Sequence, residues 1–170
     1  MKLKRILIAG GCFWGVEAYF KSLKGVHKTT VGYANGNIKN PKYEELKAQI
    51  ANHAEACEIY YNPSIITLTD ILEHMFRFID PTSVNKQGED VGIQYRTGVY
   101  YQDEEDRIII KKFIKEKQKL YKKKITVEVE KEKNYYLAEE YHQDYLDKNP
   151  YGYCHVDLNL IKDHEKRTLN

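Results

Sequence analysis

The feature that most limits how this chain can fold is a buried-strand pattern that passes directly into a helical pattern. Residues 5–9 form a short apolar run with β-branched side chains, which ends at Gly10-Gly11 and indicates a buried strand. Apolar residues then recur at helical spacing, namely Val16, Tyr19, Phe20 and Leu23. Gly25 is a typical C-terminal stop, so we expect a strand and a helix joined by a glycine turn.

Strand and helix patterns continue to alternate as far as residue 101. They predict, in order, a strand at 28–34, a loop at 35–41, a strand at 55–61, a helix between Thr67 or Thr69 and Pro81, a polar loop at 80–92 and a strand at 94–101. The strand that begins at Glu55 alternates strictly, so Glu55, Cys57 and Ile59 share one face. The first six regular elements therefore run βαββαβ.

Three more elements precede an irregular tail. They are a long helix from Asp103 that includes Leu120, a half-exposed strand at 125–130 and a last helix at 135–146. The order predicts an α+β fold of ferredoxin-like type, a two-layer sandwich with a C-terminal helical and irregular extension. Since there are no repeats or linkers, we expect a single domain over residues 1–170.

Charge and hydropathy argue against two classes of partner. The 27 Lys and Arg residues almost balance the 25 Asp and Glu residues, which disfavours a protein that neutralises nucleic-acid phosphates. The apolar run at 6–9 is too short for a signal peptide, and no later stretch approaches the ~20 apolar residues of a membrane span. We expect a soluble, cytoplasmic protein.

The three cysteines, Cys12, Cys57 and Cys154, show neither a Cys-x-x-Cys pair nor a spacing typical of zinc ligands. We therefore expect no metal and no structural disulfide, and in a reducing compartment the thiols can serve in catalysis or redox sensing. Cys57 stands between Ala56 and Glu58, a pattern that predicts an inert core thiol.

Cys12 lies where the first strand ends and the first helix begins. Free N–H groups and the positive helix end stabilise an anion there, so we expect a lowered thiol pKa. Phe13 and Trp14 are expected to line a pocket, and the flanking glycines to leave room for a substrate. On this local pattern alone, a buried structural cysteine that happens to precede a helix remains an equal alternative.

The wider sequence resembles a known family. Gly11-Cys12-Phe13-Trp14-Gly15-Val16-Glu17 resembles the signature of the A-type methionine sulfoxide reductases. Further blocks resemble that family in order: Gly32-Tyr33, residues 40–43, 53–55, 61–63, 80–82, 87–96 and 150–154. The resemblance covers nearly the whole chain. It implies reduction of methionine S-sulfoxide, free or peptide-bound, without a metal or organic cofactor.

The resemblance also implies a role for each matching residue. Cys12 would attack the sulfoxide sulfur, and Glu55, kept neutral by burial, would protonate the oxygen. Tyr43 and Tyr95 would hydrogen-bond that oxygen, and Asp90 would help to position the site. Phe13 and Trp14 would hold the substrate methyl group and so select one epimer.

The same resemblance implies a recycling step. The sulfenic acid left on Cys12 would condense with Cys154 on the tail, and thioredoxin would reduce the disulfide. The chain lacks the second recycling cysteine of some relatives, and it carries Asn35 and Asn52 where family members commonly have glycine. Asn tolerates left-handed backbone, so these turns are expected to survive. We expect a monomer.

Other readings of the sequence remain open. A thiol peroxidase would also need a reactive cysteine and a resolving partner. A ferredoxin-like domain that binds RNA is a third class, against which the near-neutral charge and the missing RNA-binding motif argue. His53, His142 and His155 are assigned no role, because a single histidine more often satisfies a local hydrogen bond than acts as a base.

Overall fold

The computed structural model describes residues 2–168. Its strands are β1 (Lys4–Gly10), β2 (Val26–Ala34), β3 (Ala54–Tyr61), β4 (Lys86–Gln87), β5 (Asp90–Val91), β6 (Thr97–Tyr101), β7 (Glu128–Lys131) and β8 (Tyr135–Leu137). Its α-helices are α1 (Phe13–Lys21), α2 (Tyr43–Lys47), α3 (Leu68–Phe78), α4 (Glu104–Gln118) and α5 (Tyr145–Lys148). Four 3-10 turns lie at Ile93–Tyr95, Glu140–His142, Leu158–Leu160 and Asp163–Glu165.

Six strands form one sheet in the order β7-β6-β1-β3-β2-β8, and β4 pairs with β5 in a separate ribbon. Within the larger sheet, β6 and β7 run parallel and the other neighbours are antiparallel. The central strands pair Ile6 with Ile59 and Ile8 with Cys57. These apolar pairs place the middle of the sheet under the helices.

The main core lies between this sheet and the helices. Its buried side chains include Ile8, Val16, Tyr19, Phe20, Cys57, Ile59, Ile71, Leu72, Met75, Ile110 and Phe113. A fully buried Ile or Leu contributes about 1.5–3 kcal/mol relative to an exposed one, whereas an exposed ion pair contributes about 0–1 kcal/mol. Apolar packing of helices on a curled sheet therefore stabilises the fold, and the mixed α and β architecture that was predicted is confirmed.

Local capping explains where the longer helices begin. The Thr67 hydroxyl accepts a hydrogen bond from Asp70 N at 3.1 Å, and the Asp70 carboxylate accepts one from Thr67 N at 2.9 Å. Asp103 caps α4 in the same way, through Asp106 N at 2.8 Å. Thr67, not Thr69, is thus the cap of α3, and Asp103 is confirmed as the start of the long helix.

The predicted helix at 135–146 is wrong. Residues 135–137 form strand β8, which pairs with residues 32–34 of β2, and a 3-10 turn and the short α5 follow. A β-carbon on Gly32 would lie 2.5 Å from the Tyr135 ring, so only glycine allows this strand to dock. The Gln143 side chain then hydrogen-bonds both N and O of Val31. Tertiary pairing therefore overrides the helical spacing of this segment.

Four smaller differences concern element boundaries and short elements. The strand predicted at 125–130 begins only at Glu128, and Leu120 lies beyond α4 with 74% of its surface exposed. The polar loop at 80–92 contains the β4–β5 ribbon, and the short α2 was not predicted. None of the helices within residues 2–168 is long and apolar enough to cross a lipid bilayer.

Candidate active site

Cys12 is the N-cap residue of α1 and is 7% exposed. β1 ends at Gly10, and Gly11 turns the chain with a φ of +93° before the helix begins at Phe13. This φ lies in the region that L side chains rarely adopt, so glycine is required there. The glycine turn therefore fixes the thiol at the junction of strand and helix, as the sequence predicts.

The lowered pKa expected for Cys12 is wrong. Burial raises the pKa of the Cys12 thiol well above its ordinary value, and the nearby Glu55 raises it further. The backbone N–H of Trp14 acts in the opposite direction but does not compensate. Removal of the sulfur from water thus outweighs the favourable helix end, and Cys12 rests as a thiol at neutral pH.

Glu55 lies on β3 on the same face as Cys57, beneath the first turn of α1. Its carboxylate oxygen Oε1 accepts a hydrogen bond from Phe13 N at 3.1 Å, and the residue is 1% exposed. Burial raises the pKa of Glu55 to about 8, against the effect of the Phe13 N–H. The carboxyl is therefore mostly protonated at pH 7 and can donate a proton.

Two tyrosines and one aspartate surround this pair. Burial, followed by the charge of Glu55, raises the pKa of Tyr43 to about 12 and also raises the pKa of Tyr95. Cys12 contributes to both shifts. Asp90 raises the pKa values of Cys12, Glu55 and Tyr95 in turn. These mutual electrostatic effects place the five groups near one another.

The two aromatic residues after Cys12 differ in their surroundings. Phe13 is 1% exposed and packs in a second cluster with Val31, Tyr33 and Leu46. Trp14 is partly exposed, and its ring stacks on Tyr145 with centroids 3.7 Å apart and planes at 9°. Of the two rings, only that of Trp14 is partly exposed to solvent.

Glu139 and His142 support the site and were missed in the sequence. Glu139 accepts hydrogen bonds from the Tyr33 hydroxyl at 2.7 Å and from Tyr43 N at 2.9 Å, and so anchors the start of α2. Nδ1 of His142 accepts a hydrogen bond from the Trp14 indole at 3.0 Å. His142 was assigned no role as a single histidine, and the wrong helix at 135–146 gave no reason to single out Glu139.

Cys154 is half-buried and does not lie on a free surface tail. Its sulfur packs against the main core and donates a hydrogen bond to Val156 O at 3.1 Å. Beyond it, Glu165 accepts two hydrogen bonds from Arg77 on α3, at 2.7 and 2.8 Å, and Arg167 N donates to Ser22 O. The tail is therefore tied down after Cys154, which limits how far that segment moves.

The glycines around Cys12 allow this tail to pack closely against the start of α1. A β-carbon on Gly11 would lie 2.9 Å from Nε2 of His155, and one on Gly15 would lie 3.1 Å from the Cys154 sulfur. Gln87 fills the remaining space at Gly11. The expectation that these glycines leave room for a substrate is thus corrected, because tail and loop atoms occupy that space.

We expect Gly11→Ala to destabilise the protein by more than Gly88→Ala. Both glycines have positive φ, +93° and +59°, but a β-carbon on Gly88 meets nothing closer than 3.5 Å, whereas one on Gly11 would lie 2.8 Å from Gln87 Cβ. Gly88→Ala then reports backbone strain alone, about 1 kcal/mol, and Gly11→Ala adds overpacking of about 1–3 kcal/mol. Urea unfolding of the two variants measures the difference. Equal losses in the free energy of unfolding would contradict the close packing of loop and tail against Gly11.

The remaining sequence predictions have mixed outcomes. Cys57 is fully buried in the main core, as predicted, and burial raises the pKa of its thiol. Asn35 has a φ of +54°, so asparagine does hold a left-handed turn there, but Asn52 is not among the described residues with positive φ. Residues 2–168 contain no group of three or more His, Cys, Asp or Glu side chains that could hold a metal ion.

Comparison with known proteins identifies the family. A family model described as peptide methionine sulfoxide reductase matches residues 4–169. The peptide methionine sulfoxide reductase MsrA of Ureaplasma urealyticum is 56% identical over 160 residues, which cover 94% of this chain and 97% of that protein.

Two solved structures are also similar. Mxr1 of Saccharomyces cerevisiae in reduced form matches with a TM-score of 0.85 at 41% identity, over 90% of this chain and 89% of the other. Mxr1 in complex with Trx2 matches with a TM-score of 0.61 at 31% identity, over 85% of each chain. The family match, together with a buried thiol beside a protonated carboxyl, shows that this chain belongs to the peptide methionine sulfoxide reductase family.

Proposed function

We propose that this chain repairs oxidative damage by reducing methionine S-sulfoxide, peptide-bound or free, to methionine, with Cys12 as the nucleophile. The observation that carries the proposal is the pairing of a buried Cys12 thiol with Glu55, a carboxyl whose pKa of about 8 keeps it protonated at neutral pH. A sulfoxide sulfur becomes a good electrophile only when its oxygen is protonated, so a neutral acid beside a thiol suits this reaction.

In the first step, the Cys12 sulfur takes the oxygen from the substrate. Glu55 donates its proton to the sulfoxide oxygen as the Cys12 sulfur attacks, and Glu55 can then recover the proton that the thiol loses. The products are methionine and a sulfenic acid on Cys12, so that the thiol is oxidised by two electrons and the sulfoxide is reduced by two. No other reactant is needed.

Tyr43 and Tyr95 stabilise the oxygen as negative charge develops on it. Their raised pKa values keep both hydroxyls protonated and therefore able to donate hydrogen bonds. Asp90 accepts a hydrogen bond from the Tyr153 hydroxyl at 2.9 Å and acts as a positioning residue. Trp14, which packs against the cluster that contains Phe13, receives the substrate methyl group and so favours the S epimer.

In the second step, Cys154 attacks the sulfenic acid to form a Cys12–Cys154 disulfide and water. Cys154 is suited to this role because its charge raises the pKa of Cys12, which indicates proximity, and because Gly15 lets its sulfur approach α1. Thioredoxin then reduces the disulfide. The thioredoxin complex of the structurally similar Mxr1 supports this choice of reductant.

We also infer that the four-strand core is ferredoxin-like and that residues 1–170 form a single domain. The order β6-β1-β3-β2 with antiparallel neighbours supports the first inference, and the one large sheet supports the second. Three free cysteines and a thioredoxin partner suit a cytoplasmic location. Monomeric behaviour stays a prediction, which light scattering after size-exclusion chromatography tests.

Reduction of each separated sulfoxide epimer tests the function directly. With dithiothreitol as reductant, we expect the S epimer of both free and N-acetylated methionine sulfoxide to be converted to methionine, and the R epimer to remain. Chiral chromatography of residual substrate measures the outcome. Consumption of the R epimer at a comparable rate, or faster consumption of hydrogen peroxide than of either epimer, would contradict the proposal.

We expect Glu55→Gln to slow methionine formation in a single turnover by about 10²-fold, the lower range for loss of a general acid. The wild-type rate should be constant below the Glu55 pKa of about 8 and fall above it, as the carboxyl ionises and loses the proton it donates. Gln cannot ionise, so this fall should disappear in the variant. An unchanged pH profile in Glu55→Gln would show that another group is the acid.

A further inference from the structure

We propose that His155 is the base that removes the proton from the Cys154 thiol when this thiol attacks the oxidised Cys12. The inference rests on the proposed function, because it concerns the second step of that reaction. The observation that carries it is a bare imidazole nitrogen that borders the same small volume as the Cys154 sulfur, in the space left by the glycines of α1 and its preceding turn.

A single hydrogen bond fixes the tautomer of His155. Its Nε2 lies 2.8 Å from the carbonyl oxygen of Gly10. A carbonyl oxygen only accepts, so Nε2 carries the hydrogen and donates it. In a neutral imidazole, Nδ1 is then an unprotonated acceptor. Nδ1 is shielded from solvent and has no hydrogen-bond partner within residues 2–168, which leaves its lone pair free to take a proton.

Gly15 brings this nitrogen and the thiol to the same place. A β-carbon on Gly15 would lie 3.1 Å from the Cys154 sulfur and 3.3 Å from Nδ1 of His155. Both atoms therefore border one small volume against the first turn of α1, whose N-cap is Cys12. At rest, the thiol hydrogen points to Val156 O, so proton transfer requires the S–H group to leave that acceptor and turn to Nδ1.

The proton and electron balance of the step is closed. Nδ1 takes the thiol proton, the Cys154 sulfur forms a bond to the Cys12 sulfur, and the bond between that sulfur and its hydroxyl oxygen breaks. The hydroxide leaves with the proton returned by the imidazolium, as water. The Cys154 sulfur is oxidised and the Cys12 sulfenate sulfur is reduced, so His155 ends the step neutral, ready for the next cycle.

The surroundings set suitable protonation states for this transfer. The titratable groups around His155 are Asp90 on β5, Cys12 at the start of α1, and Tyr153 and Cys154 on its own segment. Burial lowers the pKa of His155, and the hydrogen bond to Gly10 O and the charge of Asp90 only partly oppose this effect. Burial also raises the pKa of the Cys154 thiol. At neutral pH the imidazole is therefore neutral, and the thiol needs a base.

The test is the pH dependence of disulfide formation in His155→Gln. Gln can still donate an N–H to Gly10 O but offers no base. Each enzyme is mixed with one equivalent of methionine S-sulfoxide without reductant, and rapid quenching gives methionine and free thiols at each pH. We expect a nearly constant disulfide rate in the wild type from pH 7 to 9. In the variant we expect a rate about 10²-fold lower at pH 7 that rises tenfold per pH unit.

Controls separate a base from a structural residue. His164→Gln, at an exposed histidine farther along the same tail, should follow the wild type at every pH. Added imidazole should raise the disulfide rate of His155→Gln at pH 7. A wild-type rate in His155→Gln, or a loss by the same factor at all pH values, would overturn the proposal. Failure of the wild type to form methionine would instead contradict the proposed function.

Discussion

Cys12→Ser is expected to remove methionine sulfoxide reduction, with a loss of roughly 10³-fold or more. A serine hydroxyl is a much weaker nucleophile than a thiol and cannot accept the oxygen as a sulfenic acid. The expected result is that neither methionine nor loss of thiols is detected after mixing with the S epimer. Chromatography of methionine and titration of free thiols measure the two quantities separately.

The matched control for this variant is Cys57→Ala. Cys57 is fully buried in the main core and has no part in the proposed reaction, so Cys57→Ala should reduce the sulfoxide at the wild-type rate. Thermal unfolding of both variants checks that the fold is kept. If Cys12→Ser retained activity and Cys57→Ala lost it, the nucleophile would have been assigned to the wrong cysteine.

Cys154→Ser should uncouple the enzyme from thioredoxin while it keeps one turnover. We expect close to one methionine per enzyme, because Cys12 and Glu55 are unchanged, followed by no further turnover with thioredoxin as the reductant. A sulfenic acid without a resolving thiol leaves thioredoxin no disulfide to attack. Dithiothreitol is a small molecule that can reach Cys12, so it should restore turnover.

Mass spectrometry distinguishes the intermediates of this variant. After one turnover, Cys154→Ser should carry one added oxygen, or a dimedone adduct on Cys12, whereas the wild type should lose two hydrogens. Cys57→Ala again serves as the control and should form the disulfide as the wild type does. Full thioredoxin-driven turnover in Cys154→Ser would show that another group resolves the sulfenic acid.

The parts of the fold that could be predicted are those decided by local sequence. β1, the start of α1, the cap at Thr67 and the cap at Asp103 all follow from periodicity and from side chains that satisfy nearby N–H groups. The segment 135–146 could not be predicted in this way. Its conformation depends on docking against Gly32 of β2, a residue about 100 positions earlier that shows no local sign of the partner strand.

Some features of the candidate site could likewise be predicted from the sequence, and others could not. The resemblance supplied Cys12, Glu55 and the two tyrosines as predictions, because family motifs preserve residue types in order. The pKa of Cys12 was predicted to be lowered but is raised. A helix start can be recognised in a sequence, whereas the desolvation of a buried thiol cannot. His155 was assigned no role for a related reason. Its Nδ1 is buried without a hydrogen-bond partner because of tertiary contacts, which the sequence does not show.

Because Cys57 is fully buried, the reactivity of its thiol can report the unfolding of the protein. Once Cys12 and Cys154 are joined, Cys57 is the single thiol left, and it lies on the central strand β3, paired with Ile8 and covered by helices. A thiol-specific reagent can then react only when the core opens, so the labelling rate in the absence of denaturant measures the free energy of that opening. The purified, oxidised enzyme thus allows its stability to be followed by one labelling reaction, without an engineered cysteine or a denaturant.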